Sequence, residues 1–181
     1  RTLDADPERV GDDVTVPVGR QLDREAIVGV DRLLNVAAAY DRLKQACIVI
    51  DAGTAVTVDF VDGEGTFHGG AILPGAQMSL DILHNHTHQL PRIEFDAPVE
   101  AIGHNTVEAM RSGVFHGLRG AVRELAERFA LFYGAYPKII ATGGDAHALF
   151  DDYELVEAVV DDLTLRGIAV THRVACGVKE Q

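Results

Sequence analysis

The sequence is poor in cysteine and has no long apolar run, and each shortage excludes a class of protein. Its two cysteines, Cys47 and Cys176, are too few for a disulfide scaffold. Cys47 lies in the apolar run ACIVI, so we predict a buried thiol in a protein of the reducing cytoplasm. No apolar run approaches the roughly 18–20 residues that span a bilayer, so we expect no membrane partner.

Positive charge is also scarce. The 181 residues include 16 Lys and Arg against 28 Asp and Glu, which gives a formal net charge of −12 and a pI of about 4.9. Because an acidic surface repels phosphate backbones, we expect no nucleic-acid partner, and an anionic substrate needs a local site of cations or backbone amides. The composition is 47% hydrophobic and ordinary for a globular chain, and the length suits one large domain or parts of two.

Several catalytic signatures are missing as well. No G-x-x-x-x-G-K-[ST] loop occurs, which disfavours a P-loop kinase, and no serine elbow or Cys-His pair supports a hydrolase. The histidines His84, His86 and His88 resemble a metal site, but a spacing of two does not place ligands on one helix face. No Cys or acidic residue near them has zinc-motif spacing. We interpret this cluster as a solvated loop.

The pattern that is present is typical of an α/β protein with an early β-meander. Continuous or alternating apolar residues predict strands over 46–50, 55–61, 66–73 and 138–141. Apolar side chains at every third or fourth position predict helices over 31–43, 77–84, 105–133 and 156–165. We expect short strands at 14–18 and 168–174, and an otherwise irregular lead-in over residues 1–25.

The segment 50–59, IDAGTAVTVD, joins two predicted strands through the turn Asp51-Ala-Gly53-Thr54. Glycine lets a backbone approach a phosphate closely, and successive amides in a tight turn form an anion-binding concavity. The Thr54 hydroxyl can add a phosphate hydrogen bond, and Asp51 at the strand end can hold a cation. An ordinary hairpin turn is the alternative, since Asp-x-Gly is common in turns.

A second candidate is the run Gly29-Val30-Asp31-Arg32. A carboxylate beside an arginine suits transfer to a hydroxyl, because one group accepts the proton and the other stabilises negative charge. The alternative is a helix N-cap, Asp31, followed by a surface arginine.

Glycine turns and one helix start complete the set of candidates. Thr142-Gly143-Gly144 follows a short buried strand, where a nucleotide base or ribose can lie on the backbone, or the turn is a plain strand-to-helix connection. Asn105-Thr106 opens a long helix, either as a cap or with amides and a hydroxyl aimed at an anionic ligand. Gly69-Gly70 and Pro74-Gly75 are similar segments, where a ligand in a cleft could approach the backbone closely.

The order of these segments closely resembles the type III pantothenate kinase family. The resemblance rests on GVDR, IDAGTAVTVD, GGAILPG, NT with a downstream SG, TGG and the tail LTLRG, and it covers roughly residues 28–169. It implies the actin-like ATPase (ribonuclease H-like) fold of the sugar kinase, Hsp70 and actin superfamily. It also implies ATP-dependent phosphorylation of pantothenate to 4'-phosphopantothenate, the first step of coenzyme A biosynthesis.

The resemblance assigns a substrate site. Asp31 matches the proton acceptor for the pantothenate hydroxyl, and Gly29, Val30 and Arg32 line the pantothenate site with it. Thr106 matches a substrate-contacting residue that reaches the site across a homodimer interface.

The resemblance also implies a nucleotide site and its cations. Thr54, in the turn with Gly53, matches an ATP-contacting threonine, and Gly143 and Gly144 match glycines near the adenosine. Asp51 matches an aspartate that binds an activating monovalent cation, K⁺ or NH₄⁺, and Mg²⁺ accompanies ATP.

The chain departs from the family pattern on its N-terminal side. Family members begin with a strand hairpin that carries an Asp-x-Gly-Asn-Thr phosphate motif, and no such turn precedes Asp51. The chain starts at Arg1 rather than Met, and no signal peptide is visible. The resemblance implies that the N-terminal strands of the first domain are missing. We therefore assign residues 1–50 to a remnant of the first domain with the substrate-site segment, and residues 51–181 to a second ribonuclease H-like domain. Leu22 stands where the family has an aromatic pantothenate contact.

These departures leave alternatives open. The absent first phosphate motif is compatible with a non-catalytic metabolite-binding or regulatory protein on the same fold. A different small hydroxylated acceptor is a further alternative, although the GVDR segment and the compact second domain argue against a sugar or acetate kinase.

Overall fold

The computed structural model describes residues 8–23, 25–98 and 100–177. Within these ranges, strands and helices follow one another along the chain as a meander and then as alternating elements. They are β1 (Gly19–Arg20), α1 (Val30–Leu43), β2 (Cys47–Ala52), β3 (Ala55–Val61), β4 (Thr66–Pro74), α2 (Ala76–Asn85), α3 (Thr106–Tyr133), β5 (Lys138–Thr142), α4 (Ala146–Phe150), β6 (Ala158–Val159) and α5 (Leu163–Ala175).

The described strands form one sheet in the order β1-β4-β3-β2-β5-β6. Strands β2, β5 and β6 are parallel, while β3 runs antiparallel to both β2 and β4. The carboxyl ends of β2, β4 and β5 and the start of β3 therefore lie at one edge of the sheet. The turns that begin at Gly53, Gly75 and Gly143 all leave the sheet from this edge, which places three glycine turns side by side.

Helices cover both faces of the sheet. Helices α1 and α5 pack on one face around Leu34, Val49 and Phe67, and helices α2, α3 and α4 pack on the other around Ile48, Phe60 and Leu118. Strand β2 is central, and its apolar residues are buried on both faces. This explains its continuous apolar sequence, since each fully buried Val or Ile side chain stabilises the fold by about 1.5–3 kcal/mol.

Local sequence fixes the ends of the longest helix, α3. The Asn105 side chain accepts a hydrogen bond from the backbone N–H of Glu108 at 3.0 Å, and Gly134 ends the helix in the left-handed region with φ of 81°. Both are preferred capping residues for the two helix ends. Three glycines lie inside α3 without breaking it, namely Gly113, Gly117 and Gly120.

Most of the predicted elements are confirmed to within a few residues, and strand 55–61 has the predicted bounds. The C-terminal prediction is wrong. Residues 156–165 are not a helix, because they contain β6 and the start of α5, and residues 168–174 are helical rather than a strand. The buried positions of α5 are Leu163, Gly167, Val170 and Thr171, a spacing of three and four that the β-branched residues of this segment obscured.

The N-terminal prediction needs a smaller correction. The strand expected at 14–18 lies at Gly19–Arg20, directly after the segment that contains Pro17, while Val14 forms only an isolated bridge with Val10. Residues 1–7 of the predicted irregular lead-in lie outside the described residues. The predicted division between residues 50 and 51 falls within β2 and stays a prediction.

Two expectations from composition concern burial and membranes. Cys47 is fully buried as predicted, and burial raises the pKa of its thiol to about 12. Across the described ranges, no helix combines the length and the apolar character that crossing a bilayer would require.

Candidate active site

A group of polar side chains, which we call the polar cluster, lies where α1 and α5 meet the sheet. It consists of Asp31, Arg32, Asn35, Asp51, Thr57, Asp59 and Thr164. Helix α1 begins at Val30, one residue earlier than predicted, and Gly29 rather than Asp31 occupies the N-cap position. Asp31 therefore lies in the first turn of the helix, where its carboxylate is exposed and favourably placed against the helix dipole.

Arg32 is anchored in the polar cluster by Asp59 of β3. Its Nε atom donates to both carboxylate oxygens of Asp59 at 3.1 Å, and its Nη2 atom also donates to Asp59. The Arg32 side chain is 15% exposed and that of Asp59 is 2% exposed, and the guanidinium lies 5.7 Å from the centre of the Phe67 ring. This arginine is consequently not the surface residue that the alternative interpretation of GVDR required.

Burial is the main influence on the ionisation of Asp59. It raises the pKa of the Asp59 carboxyl, while hydrogen bonds and charge from Arg32 and a hydrogen bond from Thr57 act in the opposite direction. The pKa of Arg32 is raised, chiefly by its hydrogen bond to Asp59. A fixed guanidinium partly neutralised by a buried carboxylate can hold a substrate group with its remaining donors without large side-chain motion.

Asp51, at the end of β2, belongs to a second chain of hydrogen bonds. The Nδ2 atom of Asn35 donates to Asp51 Oδ2 at 2.8 Å, and the Thr164 hydroxyl donates to Asn35 Oδ1 at 2.7 Å. Burial raises the pKa of Asp51, the hydrogen bond from Asn35 lowers it, and repulsion from the Asp31 carboxylate raises it further.

The predicted phosphate turn follows Asp51 directly. The Gly53 amide donates to Ala55 O at 3.0 Å, and the Gly75 amide donates to Thr54 O at 3.0 Å, which closes the turn against the end of β4. Only glycine fits at position 75, because a Cβ atom there would lie 2.1 Å from Gly53 O. Thr54 is exposed, and a Cβ atom at Gly53 would meet no described atom within 4 Å, so this side of the turn is open to a ligand.

The TGG turn after β5 lies against the same edge. Gly143 has φ of +100°, and a Cβ atom there would lie 2.3 Å from Ala52 O and 2.6 Å from Asp51 Oδ1. A side chain at this position would therefore displace Asp51 and strain the backbone. The backbone at Gly144 faces open space among the described residues.

A cavity of about 760 Å³ opens beside the TGG turn on the α2 face of the sheet. Asp145, which follows the turn, is half-buried, and burial raises the pKa of its carboxyl. The other lining residues are Gln77, Asp81, Arg92, Ile93, Glu94 and Phe95. A cavity of this size, lined by one aromatic ring and several polar groups, can accommodate a small organic ligand.

Thr106 does not belong to the polar cluster. It begins α3, which packs on the opposite face of the sheet from α1. Helix α3 starts with a cap by Asn105, as the structural alternative expected, and Thr106 is exposed next to it.

The histidine cluster is split between a helix end and the loop after it. His84 lies in the last turn of α2, where its Nδ1 atom is 2.8 Å from Leu90 O, and His86 is the C-cap. In the part of the chain that the structure describes, no group of three or more His, Cys, Asp or Glu side chains is placed to hold a metal ion.

Sequence reasoning assigned no role to Asn35, Asp59 or Thr164. Asp59 was the final residue of the IDAGTAVTVD motif, and its position in an apolar strand two residues after Thr57 was a usable signal, because a buried carboxylate needs a partner. The link from Asn35 to Thr164 joins residues 129 positions apart, and no local pattern predicts it.

Known proteins are similar to this chain in sequence. The family model described as type III pantothenate kinase matches residues 1–128. The chain is 42% identical over 174 residues to the type III pantothenate kinase of Rhodospirillum rubrum, with 96% of this chain and 68% of that protein covered. It is 39% identical to the type III pantothenate kinase of Paracoccus denitrificans, with 95% of this chain and 67% of that protein covered. The chain thus spans about two thirds of the length of these relatives.

Solved structures show a similar fold at low sequence identity. A conserved Baf family protein from Campylobacter jejuni, whose name describes a transcriptional activator, aligns with a TM-score of 0.66 at 23% identity over 89% of this chain and 70% of that chain. The Alp12 filament structure aligns with a TM-score of 0.51 at 12% identity, over 74% of this chain and 47% of that chain. Together with the family match, these likenesses confirm the predicted actin-like ATPase fold.

Proposed function

Since the chain belongs to the type III pantothenate kinase family, we propose that the protein transfers the γ-phosphoryl group of ATP to the hydroxyl of pantothenate. The product is 4'-phosphopantothenate, in the first step of coenzyme A biosynthesis in the cytoplasm. The observation that carries this proposal is the polar cluster. In it Arg32 of GVDR is anchored to Asp59 and Asp51 is held by Asn35, on the sheet whose edge presents the glycine turns.

The acceptor half of the proposed reaction uses the start of α1. Asp31 accepts the proton from the pantothenate hydroxyl as its oxygen attacks the γ-phosphorus atom and the bond to the β-phosphate oxygen breaks. Gly29, Val30 and Arg32 line the pantothenate site. Because Asp59 fixes the guanidinium, Arg32 offers a positioned donor to the substrate with little loss of side-chain freedom.

The nucleotide half of the proposed site uses the glycine turns. The exposed Thr54 hydroxyl binds the phosphates, and Gly53 lets them approach the turn because it has no side chain. The open backbone at Gly143 and Gly144 faces the adenosine. The cavity beside Asp145 is adjacent to these glycines and gives the nucleotide room. Mg²⁺ bound with ATP neutralises phosphate charge, and we assign no residue of this chain to hold it.

We assign the activating monovalent cation, K⁺ or NH₄⁺, to Asp51. The donor set fits such an ion, because Asp51 Oδ2 is held by Asn35 while Oδ1 faces the backbone of the TGG turn. A carboxylate oxygen that is open on the side of the glycine turns is a ligand of the kind that hard cations prefer.

The proposed working unit is a homodimer, without nucleic-acid or membrane partners. Thr106 and Asp31 lie on helices that cover opposite faces of one sheet. A second protomer that brings its own Thr106 to the Asp31 site accounts for both positions. The division into a remnant first domain over residues 1–50 and a second domain over residues 51–181 remains part of this proposal.

The proposed function is tested with the full-length protein in a coupled assay of ADP release. We expect turnover that requires pantothenate and K⁺ or NH₄⁺, and little turnover with sugars, glycerol or acetate as the acceptor. Metabolite binding without any pantothenate-dependent turnover would contradict the proposal and favour a non-catalytic protein on this fold.

A further inference from the structure

The LTLRG segment at the start of α5 has no role in the proposed reaction, yet it supplies Thr164 to the polar cluster. Helix α5 packs closely on α1, where a Cβ atom at Gly167 would lie 2.3 Å from Leu34 O. This contact brings the first turn of α5 next to Asn35. The two helices are therefore locked at the point where the hydrogen bonds to Asp51 begin.

The direction of these hydrogen bonds follows from chemistry. Asn35 is 2% exposed, and its amide has two ends with opposite roles. A carboxylate and an amide oxygen accept only, so Nδ2 must face Asp51 Oδ2 at 2.8 Å, and Oδ1 must accept from the Thr164 hydroxyl at 2.7 Å. If Thr164 lost its hydroxyl, the buried Oδ1 atom of Asn35 would lose its donor, and the amide would be held only at its Asp51 end.

The contacts of Asp51 show how the hydrogen bonds from Thr164 through Asn35 orient its carboxylate. One carboxylate oxygen is occupied by Asn35, and the other, Oδ1, lies against Gly143, where a Cβ atom would be 2.6 Å away. The carboxylate plane is therefore set by a buried contact on one side and a backbone turn on the other. Its free oxygen is directed toward the edge that carries the glycine turns.

We propose that Asn35 and Thr164 are positioning residues that hold the Asp51 carboxylate in the orientation that the nucleotide and cation site requires. This inference rests on the proposed role of Asp51, and it gives the LTLRG segment a function at the active site. Outer partners of a ligand group are commonly as important as the ligand itself, since they fix its orientation.

The test compares three full-length variants on one helix. Thr164→Val keeps the shape and removes the hydroxyl, Thr164→Ser restores the hydroxyl, and Thr171→Val is the matched control. Thr171 is buried in α5, and its hydroxyl donates to Gly167 O at 2.8 Å within the helix. We expect Thr164→Val to raise the KM for ATP and the K⁺ activation constant by about tenfold, with the pantothenate KM unchanged. Thr164→Ser and Thr171→Val should stay close to wild type.

A second readout needs no turnover. At constant ionic strength, K⁺ in place of tetramethylammonium should raise the Tm of the wild type, Thr164→Ser and Thr171→Val, and should have little effect on Thr164→Val. This pattern without pantothenate-dependent turnover would support the positioning role and reject only the proposed acceptor. If Thr164→Val matched Thr171→Val in both readouts, or the wild-type Tm did not respond to K⁺, the inference would be overturned.

Discussion

At the scale of single residues, the Arg32–Asp59 pair determines how GVDR can act. The sequence alone suggested a reactive carboxylate beside a cationic side chain, and the structure places the two side chains in different surroundings. Asp31 is exposed, whereas Arg32 is held in place by a carboxylate 27 positions further along the chain. The local motif shows a carboxylate next to an arginine, but the partner that fixes the arginine lies on β3 and is not visible in that motif.

The buried pair makes a stability prediction. Asp59→Asn keeps the size of the side chain but leaves the Arg32 guanidinium without its counter-charge, so the free energy of unfolding should fall by about 3 kcal/mol. The control is Glu157→Gln, because Glu157 forms an exposed pair with Lys138 at 2.7 Å and its loss should cost less than about 1 kcal/mol. Urea unfolding measures both, and equal losses would show that the Arg32–Asp59 pair is not energetically special.

At the scale of secondary-structure elements, His147 connects α4 to the segment before α5. Its Nδ1 atom is 2.7 Å from Asp151 Oδ1 and its Nε2 atom is 2.7 Å from Asp161 Oδ1. Carboxylates only accept, so both contacts are hydrogen bonds only when the imidazole carries two protons. The two carboxylates raise the pKa of His147, with the hydrogen bond to Asp151 as the largest cause.

This bridge predicts a pH-dependent contribution to stability. Because the folded-state pKa of His147 is raised, its contribution is fully present below its ordinary pKa of 6.5 and is lost as the pH rises through the folded-state value. The Tm of His147→Gln should therefore lie below that of the wild type at pH 5.5, and the gap should narrow at alkaline pH. His88→Gln, at an exposed loop position, is the control. A gap that is constant with pH would contradict the bridge.

At the same scale, the predictability of elements followed the strength of their periodicity. Apolar residues recur at every second position in strand β3 and at every third or fourth position in helix α3. Both elements were found as predicted. Helix α5 was mistaken for a strand because its β-branched residues favour strands locally, while the packing of Gly167 against α1 decides for the helix. Thr164 could not be placed in the site until that helix was known.

At the scale of the whole molecule, three glycine turns lie at one edge of the sheet, and the polar cluster reaches this edge at Asp51. The sequence showed each turn but not their adjacency, which arises from the strand order and from long-range pairing of β2 with β5. Asp31, Asp51, Gly53 and Gly143 were all predicted from sequence, with roles taken from family resemblance. Asn35 and Asp59 required the three-dimensional structure, because their partners lie on other elements.

The proposed homodimer predicts complementation between two impaired variants. In a mixed dimer of Asp31→Asn and Thr106→Val, one shared site carries both substitutions and the other carries neither. Co-expression of the two full-length variants should therefore restore part of the turnover that each lacks alone. Activity of the mixed sample no higher than the mean of the separate variants would contradict a site shared between protomers.

The central claim is that Asp31 accepts the proton of the pantothenate hydroxyl, and one variant tests it most directly. In full-length Asp31→Asn, the kcat of pantothenate-dependent ADP release should fall by about 10²–10⁴-fold, because general base catalysis is lost. Isothermal titration should show pantothenate binding within a few-fold of wild type, since the amide keeps the shape of the site. Unimpaired turnover by Asp31→Asn would contradict the account.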